Sequence, residues 1–114
     1  MSGKPKKIQE LLTLLQAELL TGATEAEVHG CYVGDLLSDV LASAKPDVLW
    51  ITIQIHRNVV SVASMKDIPA VLITSGRKFD AQTIAEAEES GVTVLTTPFT
   101  AYEAAGRLWE AGLR

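Results

Sequence analysis

Cysteine occurs once in the 114 residues, as Cys31. No internal disulfide can form, and the chain reads as cytoplasmic. Aromatic residues make up only 5%, too few for the stacking platforms that hold single-stranded nucleic acid. Basic charge is not in excess: ten Lys and Arg stand against fourteen Asp and Glu, a formal net charge of −4. That excludes a chain-wide footprint for nucleic acid. The one basic cluster, Lys4, Lys6 and Lys7, reads as a solvated terminal arm. No stretch reaches the ~18 apolar residues that argue for a membrane span. The apolar run nearest the start, Ile8 to Leu20, is broken by Gln9, Glu10, Gln16 and Glu18. It lacks a convincing cleavage site, so no leader is expected. Neither G-x-G-x-x-G nor a P-loop spacing occurs. No cofactor is expected, and neither a nucleic-acid nor a membrane partner.

What is present is ordinary globular composition, 47% hydrophobic and 21% charged, enough apolar content to offset chain entropy. The length suits one domain over residues 1–114, read as an N-terminal helix within 1–24 and a core over 25–109. Ile8, Leu11, Leu12, Leu15 and Leu19 fall on one helical stripe, with Gly22 placed to end it. Leu14 and Leu20 widen the stripe, which either the domain's own sheet or a second subunit could cover.

Alternation predicts a strand over Glu27 to Tyr32. Asp35 then opens a helix whose buried face is Leu36, Leu37, Val40, Leu41 and Ala44, stopped at Pro46. Val48 to Ile53 is almost wholly apolar, as in a strand covered on both faces. Asn58 to Asp67 carries β-branched residues, yet Asn58 can cap a helix and Val59, Val62, Ala63 and Lys66 keep helical phase. The segment is read as a helix. Ala70 to Thr74 and Val92 to Thr96 are further strands. Asp80 and Thr100 cap the helices after them; Gly91 ends the first, and the second buries Ala104, Ala105, Leu108 and Trp109. The expected fold is an α/β/α three-layer sandwich with a mainly parallel central sheet of about four strands.

Parallel strands end on one edge, and ligands of open α/β sheets bind outside it. The loops there are 30–35, 54–58, 74–78 and 96–100, and they hold most of the unusual polar residues. Thr74, Ser75, Gly76, Arg77 and Lys78 could offer backbone N–H groups and cations to an anion, or form a plain turn with solvated cations. His56 could donate to a ligand and Arg57 could grip a carboxylate or phosphate, or His56 could simply bond the backbone. His29, Cys31 and His56 are too few for a metal site. Asp35 reads as a helix cap and Asp39 as a surface residue.

Several segments together resemble the DRTGG domain. Gly30-Cys31-Tyr32-Val33-Gly34-Asp35-Leu36-Leu37-Ser38-Asp39-Val40-Leu41 is similar to the family's G-Y-V-S-D-L-L-S-D-V-type opening. Gln54-Ile55-His56-Arg57-Asn58-Val59-Val60-Ser61-Val62-Ala63-Ser64 is similar to its Q-T-H-x-N-I-V-A-V-A-S segment. Thr74-Ser75-Gly76 stands where many members carry T-G-G, with Ser75 in place of a glycine. Residues 91–97 and 101–106 resemble the last strand and helix. The resemblance implies an α/β sandwich that often dimerises. It also implies a regulatory role, as in the company such domains keep with CBS domains, phosphotransacetylases and HPr kinase/phosphorylase.

The expected function is a regulatory or ligand-sensing module, not an enzyme. A small anionic ligand or nucleotide would sit at the carboxyl edge of a homodimer. The candidate ligand residues are Tyr32, Asp35, His56, Arg57, Asn58, Thr74, Ser75, Gly76 and Thr97. A protein-interaction module without a ligand is the alternative. A small enzyme using His56 with Asp35 or Cys31 is a third reading.

Overall fold

A computed structural model describes residues 3–114. Strand β1 (Lys6–Lys7) leads into helix α1 (Ile8–Leu14), then β2 (Glu18–Thr21), β3 (Glu27–Val28) and β4 (Cys31–Val33). Next come α2 (Leu37–Ser43), β5 (Leu49–Thr52), α3 (Asn58–Met65) and β6 (Ala70–Ile73). The chain finishes with α4 (Ala81–Glu89), β7 (Thr93–Thr96) and α5 (Ala101–Glu110). The central sheet has five strands in the order β2-β7-β6-β5-β4. Strands β4 to β7 run parallel, and β2 joins β7 antiparallel. The mainly parallel α/β sandwich expected from the sequence is the fold, with one more strand.

Strand register builds the layers. Trp50 lies beside Val71, which lies beside Val94; Ile51, Leu72 and Leu95 align in the same way. Successive side chains point to opposite faces of a sheet. Trp50, Val71, Ile73 and Val94 therefore share one core with Val40 of α2, Val59, Val60 and Ala63 of α3, and Ala87 of α4. Leu49, Ile51, Ala70, Leu72 and Leu95 share the other with Ile8 and Leu11 of α1 and Ala104 and Leu108 of α5. Strands β5, β6 and β7 are buried along their whole length, which is why β6 and most of β5 read as apolar runs; the buried hydroxyls of Thr93 and Thr96 in β7 are hydrogen-bonded to backbone carbonyls. Each large side chain so enclosed contributes ~1.5–3 kcal/mol.

The first helix is shorter than its leucine stripe suggests. It ends after Leu14, and the expected helical residues Leu19 and Leu20 belong to β2. The stop is a Schellman turn: Gln16 N–H donates to the Thr13 carbonyl and Ala17 N–H to that of Leu12. Gln16 takes φ +49°, a place usually held by glycine, so nothing in the residue types marks the end. Leu20 and Leu19 then face the two different cores. Beyond them Gly22 has φ +106°, and a Cβ there would lie 2.5 Å from the Thr93 Cα. Only glycine fits.

Four smaller expectations also change. Of the helix face read as buried, Leu36 and Leu41 are exposed. The strand read over 27–32 is two pieces, of which β3 pairs with β1 in a separate two-stranded sheet. Lys6 and Lys7 are thus strand residues rather than a loose arm. Trp109, expected on the buried side of α5, is 62% exposed. The helix over 58–65 forms as read and buries Val59, Val60, Val62 and Ala63.

Candidate functional site

The carboxyl ends of β4 to β7 bring together the loops singled out above. Helix α4, which follows β6, packs on one face, while α5, after β7, packs on the other. Adjacent strands whose connections leave in opposite directions open a crevice between their ends. Here that crevice is filled. Ser75 N–H donates to the Phe99 carbonyl (2.8 Å) and Gly76 N–H to the Thr97 carbonyl (2.8 Å). Thr96 Oγ1 donates to the Arg77 carbonyl (2.6 Å).

The loop itself is a tight turn. Arg77 N–H donates to the Thr74 carbonyl, and the central residues Ser75 and Gly76 have φ +60° and +71°. Two successive left-handed residues mark the primed turn type, which favours glycine at both places. The N–H groups of Thr74 to Arg77 are all engaged within the chain. What the loop can offer an anion is its side chains, Arg77 and Lys78 above all.

The β5 loop is a chain of local bonds. Asp35 Oδ1 accepts from Thr52 Oγ1 (2.8 Å) and from Ile53 N–H (2.9 Å). Asp35 is therefore a tie between the β4 and β5 loops and not the cap of α2, whose N-cap is Leu36. Thr52 Oγ1 in turn accepts from Gln54 N–H, and Gln54 Oε1 accepts from His56 N–H. His56 Nδ1 accepts from Asn58 N–H (3.1 Å). That bond does the work expected of Asn58, which lies inside α3 rather than at its cap. It also leaves Nε2 as the nitrogen that carries the proton in the neutral ring.

Four cationic or potentially cationic side chains crown this edge: His56, Arg57, Arg77 and Lys78, all exposed. Arg57 bonds Glu86 of α4 (2.9 Å), and Lys78 bonds Glu18 of β2 (3.1 Å). Both pairs are open to solvent, so each is worth only ~0–1 kcal/mol and yields readily to a stronger anion. Arg77 instead reaches the Ile53 carbonyl (3.3 Å). Two grooves flank the loop. One, of about 260 Å³, is lined by His56, Arg57, Asp80, Gln82 and Glu86. The other, of about 180 Å³, is lined by Gln16, Glu18, Gly76, Lys78 and Thr97. Asp80 caps α4 by accepting from Thr83 N–H (2.8 Å), which holds its carboxyl below the usual value.

The nine candidate residues divide by position. Asp35, His56, Arg57, Asn58, Ser75 and Gly76 lie exposed along the edge. Thr74 and Thr97 are buried. Thr97 Oγ1 donates to the Leu15 carbonyl (2.6 Å) and accepts from Phe99 N–H (3.3 Å). Tyr32 is half-buried and turned to α2, where its hydroxyl donates to Asp39. That bond raises the phenol above its ordinary pKa. Cys31 faces the α1–α5 core, and burial pushes its thiol up to about 12. A group so protonated is a poor nucleophile. Residues left off the candidate set are Arg77, Lys78 and Glu86. The first two follow the glycine turn and could have been added from the loop sequence. Glu86 meets Arg57 across 29 residues, and only the fold brings them together. Among the described residues no three His, Cys, Asp or Glu gather as a metal site. No described helix is long and apolar enough to cross a membrane.

Fold and edge together define a three-layer α/β module whose polar loops converge at the carboxyl end of a mainly parallel sheet. The chain belongs to the DRTGG domain family, whose model matches residues 10–111. No curated protein matches it by sequence. Its fold is similar to a crystal structure of the CBS and DRTGG domains from the regulatory region of Clostridium perfringens pyrophosphatase. That structure is a complex with the activator diadenosine tetraphosphate. The TM-score is 0.77 at 14% identity, over 94% of this chain and 47% of that one. The chain thus spans about half the length of that structure.

Proposed function

We propose that the chain is a cytoplasmic regulatory module that senses a small anionic ligand, of the nucleotide class, and acts as a homodimer. The observation that carries the ligand reading is the convergence of His56, Arg57, Arg77 and Lys78 on one sheet edge. Arg57 and Lys78 are held there by the carboxylates of half-buried Glu86 and exposed Glu18, which a phosphate would displace. A guanidinium offers a planar fork of donors suited to phosphate oxygens. The groove beside His56 and Arg57 is polar, and its two carboxylates are engaged, Asp80 by Thr83 N–H and Glu86 by Arg57. Membership of the DRTGG family supports a regulatory role, and the pyrophosphatase regulatory region offers a nucleotide activator as the first probe.

The role is regulatory rather than catalytic. Of the groups the sequence offered for catalysis, Cys31 is held as a thiol and His56 Nδ1 accepts from Asn58 N–H. Thermal-shift and calorimetric titrations with diadenosine tetraphosphate, ATP, acetyl phosphate and inorganic phosphate test the reading. Stabilisation by one of them, weakened at least about tenfold in Arg57→Ala or Arg77→Ala, is the expected result. No stabilisation by any of them at millimolar concentration would overturn it. A protein-interaction role is favoured by a different observation, the exposed face of α5.

A further inference from the structure

The outer face of α5 does not look like the rest of the surface. The chain has two tryptophans and two tyrosines, and one of each stands here in solvent: Tyr102 is 92% exposed and Trp109 62%. They are seven residues apart, two helical turns along one side. Gly106 lies between them, and a groove of about 520 Å³ runs over all three. Among the described residues nothing comes within 4 Å of a Cβ built on Gly106. The chain's own packing therefore gives no reason for glycine at this place. In an exposed helix interior it costs roughly 0.5–1 kcal/mol relative to alanine. A notch walled by two exposed aromatics, kept open at that cost, fits the close approach of another backbone.

Charge points to what approaches. Glu103, Arg107 and Glu110 lie along one flank of this face at helical spacing, and Arg114, beyond the helix, covers Trp109. Arg107 bonds Glu103 (3.2 Å) and stacks on Phe99 (4.1 Å), and Arg114 stacks on Trp109 (5.2 Å). The flank carries charges of both signs. Two copies meeting here can set the arginine of each flank near a glutamate of the other. We infer that the α5 face is the homodimer interface, with two α5 helices antiparallel about a two-fold axis between Ala105 and Gly106. This register sets Tyr102 of one protomer opposite Trp109 of its partner, twice. It also puts Arg107 within one residue of the level of the partner's Glu103. The two Gly106 residues sit at the crossing, where small side chains allow close packing. The inference takes up the homodimer of the proposed function and gives it a surface; the ligand edge is not involved.

Sedimentation of the full chain from about 1 µM to about 1 mM tests it. The wild type is expected to dimerise in that range. Gly106→Lys is expected to remain monomeric, with unchanged circular dichroism and a thermal midpoint, measured on dilute monomer, no lower than wild type. Gly106→Ala, which strengthens the helix, is expected to weaken the dimer while raising monomer stability. Arg107→Glu should weaken association at least about tenfold, and adding Glu103→Arg should restore most of it by reversing both signs. A Gly106→Lys dimer of wild-type affinity, or no rescue by the charge reversal, would overturn this interface and leave the homodimer standing. A wild type that stays monomeric at about 1 mM would overturn both.

Discussion

Replacing Thr97 by valine tests how the candidate site is held. Thr97 is 1% exposed, and its hydroxyl is used twice. It donates to the Leu15 carbonyl at 2.6 Å, where α1 ends, and accepts from Phe99 N–H at 3.3 Å, where the β7 loop turns. Valine keeps the shape and removes both bonds. Each buried group left without a partner costs ~1–3 kcal/mol. The Leu15 bond is short and buried, while the Phe99 bond is long and weak. The loss should be about 2–3 kcal/mol. For a chain of this length each kcal/mol moves the thermal midpoint by about 4 °C, so the midpoint should fall by about 8–12 °C. Thr97→Ser keeps the hydroxyl and loses one methyl, worth about 0.8 kcal/mol. Urea unfolding followed by circular dichroism ranks the three proteins. Valine within about 0.5 kcal/mol of wild type, or serine less stable than valine, would refute the reasoning.

Other perturbations probe other links. Gly22→Ala would force a Cβ to 2.5 Å from the Thr93 Cα at φ +106° and should cost at least about 2 kcal/mol in the same assay; a neutral result contradicts the β2–β7 junction. Ser75→Gly should raise stability by up to about 1 kcal/mol, because it relieves a left-handed residue, partly offset by a freer unfolded chain; a loss would count against the turn. Tyr32, raised from 10.0 by its bond to Asp39, should ionise at higher pH than an ordinary phenol. The sign follows: the bond's contribution is complete below the ordinary value and is lost as pH rises through the higher folded one. Ultraviolet titration should show this ionisation moving down in Asp39→Ala, and an unmoved curve would break the assignment. Cys31, pushed up to about 12, should react slowly with thiol reagents at pH 8 and quickly once unfolded; rapid labelling of the native chain would contradict its burial.

The buried strands were legible because a strand covered on both faces must be apolar throughout, as Val71, Leu72 and Ile73 are. The caps Asp80 and Thr100 were legible because a side chain at one position meets an N–H three residues on. Strand β2 was not. Leu19 and Leu20 continue a helical stripe, and their assignment to a strand depends on pairing with β7, more than 70 residues away. Gln16, in a left-handed turn, gave no sign that the helix had ended. At the site, the loops were legible from their place after each strand, but the use of each side chain was not. Thr97 and Asp35 read as candidate ligand residues because both are polar and near strand ends. Their hydrogen bonds run to Leu15 and to Thr52, partners chosen by the fold. Ser75 and Gly76 suggested a cradle of N–H groups, yet the carbonyls of Phe99 and Thr97 take those donors.

The central claim is that an anion is recognised at the carboxyl edge, between the β5 and β6 loops. Amide chemical-shift mapping of the full chain tests it most directly, with diadenosine tetraphosphate, ATP and inorganic phosphate as titrants. The account predicts shifts concentrated at residues 54–58 and 75–78 and on α4 near Glu86, and their loss in Arg57→Ala/Arg77→Ala. Shifts confined to another surface, or none at millimolar ligand, would contradict it.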